Sequence, residues 1–386
     1  MKTYIFPGQG SQARAMGAGL FARYPELVAK ADSILGYSIE ELCMEDPREE
    51  LGNTRFTQPA LFVVNALSYY KKLDETGQAP DFLAGHSLGE FNALLAAQCF
   101  DFETGLKLVQ KRGELMAQVG NGAMAAVLNA SKDDIEAILK ANGLDRVYLA
   151  NYNTPSQIVL SGLSEDIAAV QKFFQAGKMR YYPLATSGAF HSAFMQDAMA
   201  HFRDFLQQFT FAAPTIPVIA NVSARPYRAD ALLDTLSAQI ASTVRWSESV
   251  QYLLALGRAR GVQPLFEELG HGDVLTKLVM TIKLQTPDSV LDHLIAEGVA
   301  GDAEPVPVPA PVPVPVPVPV PAASDAQAKI ALWKKRHPVG TKVRSSLLKL
   351  DNLETRTDAV LLFGHRAAVY LKGYNGYFAL DELSPM

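Results

Sequence analysis

The 386-residue sequence predicts an α/β protein with a smaller β-α-β-β-α-β unit inserted in it and a separate β-rich module towards its C-terminal end. Three observations carry this expectation. Residues 81–89 read D-F-L-A-G-H-S-L-G, an apolar run entering a serine that has glycines two places to either side, and helix formers follow from Glu90. A sharp strand-to-helix turn requires that spacing, because a Cβ at either glycine would collide with neighbouring backbone; it describes an α/β-hydrolase-like large subdomain. Residues 122–186 then change to the element order of a ferredoxin-like unit. Residues 305–321 are almost pure Pro-Val alternation, which neither continues a helix nor pairs as a central strand, and so they divide the chain.

Composition narrows the function classes. With 48% hydrophobic and 19% charged residues the chain has a large core, and no stretch is long and apolar enough for a membrane span. Met1-Lys2-Thr3 runs at once into a strand-like Tyr4-Ile5-Phe6, so no signal peptide is expected. Cys43 and Cys99 make neither a disulfide framework nor a metal-ligand spacing, which fits a reducing, cytoplasmic setting. A net charge of −5 argues against nucleic acid as a partner. The charge is uneven: from residue 325 onward ten Lys/Arg face six Asp/Glu, a local +4, leaving −9 for the rest.

In chain order, the first strand runs into Pro7-Gly8-Gln9-Gly10-Ser11-Gln12, a glycine-rich turn just past a strand end, where α/β sheets build their sites. Its spacing matches neither phosphate-loop pattern, so a donor of backbone N–H groups is the better reading. A helix is expected over residues 15–34, and another after Thr57-Gln58-Pro59 up to Gly77. At the 81–89 turn the Ser87 hydroxyl is lifted clear of the sheet, and the Leu88 N–H falls at a helix N-terminus, where it can hold a developing oxyanion. Taken alone, the motif is equally compatible with a serine turn that does no chemistry. Residues 91–98 read as a helix buried under the sheet, and Asp101 caps a helix over 103–118. Arg112 lies near that helix's apolar set, and periodicity by itself favours a surface arginine.

The inserted unit comprises strands near 123–128, 147–151, 158–161 and 180–184, with helices over 131–141, opened by a Ser131/Asp134 cap, and 165–175. His191, in Ser187-Gly188-Ala189-Phe190-His191-Ser192, follows where the chain crosses back, a cleft position, although a lone histidine is as often packed as reactive. Further on, 217–222 and 262–269 read as strands, 231–241 as a helix, and the globular part closes near residue 299. The Pro-Val segment reads as a semi-rigid spacer able to span on the order of 50 Å. Beyond it lie a basic helix around Trp333 and strand-like runs at 340–343, 359–363, 367–371 and 377–380, for which an SH3-like barrel is expected. The divisions are thus 1–299, with 122–186 inserted, 300–324 and 325–386.

Six motifs now stand in a fixed order: Pro7-Gly8-Gln9-Gly10-Ser11-Gln12, Gly85-His86-Ser87-Leu88-Gly89-Glu90, Gln110-Lys111-Arg112-Gly113, Asn151-Tyr152-Asn153-Thr154-Pro155, Ala189-Phe190-His191 and Glu268-Leu269-Gly270-His271-Gly272. Together they resemble the malonyl-CoA:acyl carrier protein transacylase family over roughly the first 290 residues. With its spacer and tail the chain is most similar to free-standing, trans-acting acyltransferases of modular polyketide synthases. The resemblance implies Ser87 as nucleophile, His191 as general base and acid, and the Gln9 and Leu88 amides as oxyanion hole. It implies that the Gln239 backbone carbonyl orients His191 and that Arg112 binds the malonyl carboxylate, reversing the periodicity reading. Phe190 implies malonyl over methylmalonyl. Malonyl-CoA is then the substrate, acyl carrier protein domains the partners, and no bound cofactor or metal is expected. The family often has Gly-Pro-Gly where this chain has Gly270-His271-Gly272, and His271 reads as structural. An acyl hydrolase acting on carrier proteins and a non-catalytic recruitment protein are the alternatives, and both lack a use for Arg112.

Overall fold

The computed structural model describes residues 1–186, 188–299, 323–346, 350–362, 366–373 and 377–385. The Pro-Val spacer, Ser187 and Tyr374 lie outside the described residues, and with them the extended conformation expected of the spacer. The chain divides into two units, Met1–Val314 and Pro315–Met386.

The first unit begins with β1 (Lys2–Phe6), α1 (Pro25–Leu35), α2 (Ile39–Met44), α3 (Thr54–Thr76), β2 (Phe82–Gly85), α4 (Gly89–Ala96) and α5 (Phe102–Gln118). The helix expected over 15–34 forms only from Pro25. Ala15, Gly17 and Gly19 take positive φ of 67°, 80° and 79°, conformations that cannot propagate a right-handed helix, and the segment runs as successive turns instead. Elsewhere the local signals act as read. The Asn53 side chain accepts from Arg55 N–H at the start of α3, Gly77 closes it in the left-handed conformation, and Asp101 accepts from Thr104 N–H at the start of α5.

Next come β3 (Gly122–Leu128), α6 (Lys132–Ala141), β4 (Tyr148–Thr154), β5 (Gln157–Leu163), α7 (Ser164–Val170) and β6 (Arg180–Pro183), with a reciprocal Ser131/Asp134 capping box opening α6. They form an antiparallel sheet in the order β4-β5-β3-β6 over a core of its own that includes Ile135, Leu160 and Phe174. The chain returns through α8 (Gln196–Leu206), β7 (Val218–Ile219), α9 (Leu232–Ala238), α10 (Trp246–Ala259), β8 (Leu265–Glu268), α11 (Val274–Gln285) and α12 (Asp288–Ala296). The strand expected over 217–222 is only two residues long, because Asn221 leaves the ladder to bind the serine turn. A parallel sheet in the order β7-β2-β1-β8 results, with β1 and β2 adjacent and Phe6 opposite Gly85. Their carboxyl ends therefore bring the Pro7–Gln12 turn and the Ser87 turn side by side. One face of this sheet packs on the large cluster containing Phe62, Phe91 and Phe202, the other on Trp246, Leu253 and Ile282.

In the second unit, α13 (Ala323–Arg336) precedes β9 (Lys342–Ser345), β10 (Leu350–Glu354), β11 (Val360–Leu362), β12 (Arg366–Tyr370), β13 (Tyr377–Ala379) and β14 (Leu383–Pro385). Two three-stranded antiparallel sheets, β10-β9-β14 and β11-β12-β13, enclose Trp333, Val343, Val369 and Phe378. β10 and β14 carry no alternating pattern that would announce them. Among the described residues no helix is long and apolar enough to cross a membrane.

Candidate active site

Ser87 sits at the bend between β2 and α4 with φ of +50°, a conformation that costs a non-glycine residue on the order of 1–3 kcal/mol and persists only where surrounding structure imposes it. What imposes it is close packing. A Cβ on Gly89 would lie 2.0 Å from the Phe6 carbonyl oxygen, and one on Gly85 2.0 Å from the Gly89 carbonyl carbon, so both glycines are sterically required. Asn221, just past β7, completes the clamp: its Oδ1 accepts from Ser87 N–H at 2.7 Å and its Nδ2 donates to the Gly85 carbonyl at 2.7 Å.

His191 Nε2 lies 2.8 Å from Ser87 Oγ. On the other side of the ring, Nδ1 faces the backbone oxygens of Gln239 at 3.0 Å and Ser242 at 3.1 Å. Carbonyl oxygens only accept, so Nδ1 carries the proton and Nε2 presents its lone pair to the serine hydroxyl. His191 also has a positive φ, 55°, and its amide donates to Ile240 O at 3.2 Å. Burial pushes the imidazole down to about 3, the Arg112 charge and then His86 push the same way, and the two carbonyls oppose them. The ring is neutral at physiological pH.

Arg112 is 1% exposed, and the surface position favoured by periodicity is thereby corrected. Its place on α5 is three residues from Val109 and four from Met116, within the buried stripe. Nη1 donates to Gln58 Oε1 at 2.8 Å, and Nη2 donates to Gln239 Oε1 at 2.8 Å and to Ser87 Oγ at 3.1 Å. Nε is buried and has no acceptor among the described residues, while the guanidinium carbon stands 5.6 Å from the centre of the Phe91 ring. Burial lowers this guanidinium to about 10, with Glu90 pulling the other way.

Sequence reasoning placed Gln239 through its carbonyl alone, but its side chain is the hub of the site. Besides accepting from Arg112, Nε2 donates to Ser87 O and to Glu90 Oε2, both at 2.7 Å. Glu90, the second residue of α4, also accepts from Tyr227 Oη and from Asn221 N–H at 3.3 Å. Burial raises its carboxyl to about 7 against those hydrogen bonds and the Arg112 charge. Glu90 and Gln58 stood inside or beside motifs that were read for other residues. Tyr227, Asn221 and Ser242 carry no local signal, being more than 130 residues from the groups they hold or contributing only a carbonyl.

The remaining expectations fall as follows. Gln9 lies on the turn after β1, and a Cβ on the preceding Gly8 would sit 2.3 Å from His86 O and 3.6 Å from Leu88 N, so the two turns touch. Neither the Gln9 nor the Leu88 amide has a backbone or side-chain acceptor among the described residues. Phe190 is buried in the main core beside His191, its ring against Gly188. His86 Nε2 pairs with Asn153 Oδ1 of β4 at 2.9 Å, tying the small sheet to the serine turn. Gly270, at φ 145°, packs on Pro7, which brings the last motif beside the first.

The described residues contain no group of three metal-ligating side chains. What the arrangement can do is acyl transfer: a serine hydroxyl against a neutral imidazole, unengaged N–H groups at two adjoining turns, and a buried cation at the same oxygen.

Comparison with known proteins agrees. The chain is 50% identical over 285 residues to the polyketide biosynthesis malonyl CoA-acyl carrier protein transacylase PksC of Bacillus subtilis, covering 73% of this chain and 97% of that protein. It is 51% identical over 285 residues to the polyketide biosynthesis protein PksE of the same organism, of which it spans only 36%. A crystal structure of malonyl CoA-acyl carrier protein transacylase from Burkholderia pseudomallei superposes with a TM-score of 0.73 at 60% identity, over 74% of this chain and 99% of that one. Residues 3–265 match the family described as acyl transferase domain. The chain belongs to the acyl transferase domain family.

Proposed function

We propose that this chain moves a malonyl group from malonyl-CoA, through an ester on Ser87, to the phosphopantetheine thiol of an acyl carrier protein. One observation carries the reading: Ser87 Oγ is within hydrogen-bond distance of both His191 Nε2 and the buried Arg112 guanidinium. His191 Nε2 takes the hydroxyl proton as Oγ bonds to the thioester carbon, and the Gln9 and Leu88 N–H groups receive the charge that develops on the carbonyl oxygen. The C–S bond breaks and His191 returns the proton to the coenzyme A sulfur. The carrier thiol then repeats the steps in reverse order of bonds, so one site serves both halves. The Gln239 carbonyl, aided by that of Ser242, holds the imidazole in the required tautomer, which makes a carboxylate third member unnecessary. These steps use no metal and no bound redox cofactor.

Arg112 gives the acyl preference. A planar guanidinium suits a carboxylate, and a buried cation would only cost stability in an enzyme for uncharged acyl chains. That disfavours the alternative, a hydrolase that clears carrier proteins. Phe190 narrows the space beside the acyl Cα and favours malonyl over methylmalonyl.

The finer architecture belongs to the same reading. The parallel sheet with its glycine-flanked serine is α/β-hydrolase-like, and the insert of about residues 122–186 is ferredoxin-like, supported by its antiparallel strand order. Residues 300–324 are a spacer. Residues 325–386 form a small SH3-like module that recruits the enzyme, in trans and in the cytoplasm, to a polyketide or fatty acid synthase. The test is incubation with radiolabelled malonyl-CoA: wild-type protein takes up label at Ser87 and Ser87→Ala takes up none, whereas label retained by folded Ser87→Ala would remove Ser87 from its role.

A further inference from the structure

Burial isolates one carboxylate and one guanidinium near the serine. Among the described residues Glu90 and Arg112, 0% and 1% exposed, are the only Asp, Glu, Lys or Arg side chains withdrawn from water. They form no ion pair with each other. The Gln239 amide stands between them, its Oε1 accepting from Arg112 at 2.8 Å and its Nε2 donating to Glu90 at 2.7 Å.

A buried guanidinium with no counter-charge is costly. A carboxylate paired with it directly would instead fill the fork that a substrate carboxylate needs. Holding the counter-charge one amide away meets both demands: Arg112 has only neutral acceptors, and its Nε has none among the described residues.

We infer that Glu90 is the counter-charge of Arg112, held off by Gln239, and that it sets how tightly the guanidinium takes the carboxylate of an incoming dicarboxylic acyl group. The inference rests on the malonyl-transfer reading and adds a specificity-determining residue to it. An arriving carboxylate meets the guanidinium's attraction reduced by the Glu90 charge, so wild-type binding is weaker than Arg112 alone would give, and the acyl group is released more readily to the second acceptor. The charged or titratable groups facing Glu90 are Tyr227, which donates to Oε1, and Arg112 beyond Gln239; its other partners, Gln239 and the Asn221 amide, are neutral. With its carboxyl raised by burial to about 7, Glu90 is ionised at pH 8 and protonated at pH 5.5.

Glu90→Gln tests this, because it removes the charge and little else. Its carbonyl can accept from Gln239 and Asn221 while its amide donates to the Tyr227 oxygen. In self-acylation assays at pH 8 the variant is expected to show a KM for malonyl-CoA lowered by about three- to tenfold, as removal of a nearby opposing charge predicts. The KM for acetyl-CoA, which brings no carboxylate, should move by less than about twofold. At pH 5.5 the variant and the wild type should converge. A malonyl-CoA KM unchanged or raised at pH 8, or malonyl and acetyl values that move together, would overturn the inference, since a merely structural role affects both alike. Tyr227→Phe removes a donor that favours the ionised carboxylate and should shift malonyl-CoA the same way by less. It stands in if Glu90→Gln does not fold, and an unchanged malonyl-to-acetyl ratio there overturns the inference equally. Wild-type enzyme that takes no malonyl label at Ser87 would sink the functional reading itself, a separate outcome visible before any variant is compared.

Discussion

Each residue around Ser87 is held by something other than its nearest neighbours, and the chemistry follows from those holds. The imidazole pushed down to about 3 means that His191 is already a free base across the neutral range. Self-malonylation by excess malonyl-CoA should therefore show no inflection near pH 6.5, the ordinary histidine value, and a rate that halves there would contradict the assignment. Stability has a defined sign too. The folded pKa lies below the unfolded one, so the unfolded chain binds the proton first, and the contribution present above about pH 6.5 is lost as pH falls toward about 3. His191→Ala should thus lose acylation rate by roughly 100- to 10,000-fold, and its melting-temperature deficit should shrink between pH 7 and pH 4. Arg112→Ala should lose malonyl transfer while sparing or raising use of acetyl-CoA, because the carboxylate contact and the burial cost of the cation leave together; competition between the two thioesters reads the ratio, and an unchanged malonyl preference defeats the role. Ser87 and His191 were legible in the sequence because each stands in a motif, while the Gln239 carbonyl was reached only through the resemblance. Arg112 was legible only by resemblance, since periodicity treats a charge as a surface residue and burial had to be seen. The amide of Gln239 was not legible at all, as its partners, Ser87 and Glu90 on one turn and Arg112 on α5, lie 127 to 152 residues away in the chain.

At the scale of elements, the turn between β2 and α4 is the part on which the site depends. Its geometry is enforced by backbone contacts that no side chain can relieve: an added methyl at Gly89 meets the Phe6 carbonyl at 2.0 Å and the Pro7 carbonyl at 2.9 Å. Gly89→Ala should then either fail to fold or lose more than about 3 kcal/mol in urea unfolding, and a loss under about 1 kcal/mol would mean the turn is looser than described. Strong local signals predicted their elements well: the Asp101 cap, the Ser131/Asp134 box and the Gly77 terminus all lie where capping chemistry put them. The helix expected from residue 15 failed for a local reason that pattern cannot see. A Cβ at Gly17 would meet the Phe21 ring at 2.9 Å and Val64 at 3.0 Å, so that segment is shaped by contact with α3 and not by its own periodicity. In the same way β7 shrank to two residues because Asn221 serves the turn.

For the whole molecule, the acyltransferase unit and the tail module have separate cores, and the Pro-Val run stands between them in the sequence. In the proposed recruiting role, a tethered module would raise the effective concentration of the enzyme at a synthase without touching the chemistry. Its local charge of +4 suits an acidic partner surface. Truncation before Pro305 should accordingly leave self-malonylation nearly unchanged and slow transfer to the native synthase at low enzyme concentration; equal service by the truncated and full-length proteins would remove the recruiting role. Among the tail's described aromatic residues Trp333 and Phe378 are buried in its core. The central claim is that the ester on Ser87 passes its acyl group to a carrier thiol in preference to water. It is tested most directly by loading the enzyme with radiolabelled malonyl-CoA, removing free thioester, and chasing with holo carrier protein or with buffer alone. Label should leave the enzyme for the carrier protein within the time of mixing and persist on the enzyme in buffer. Release as free malonate at the same rate in both would contradict the account and make the protein a hydrolase.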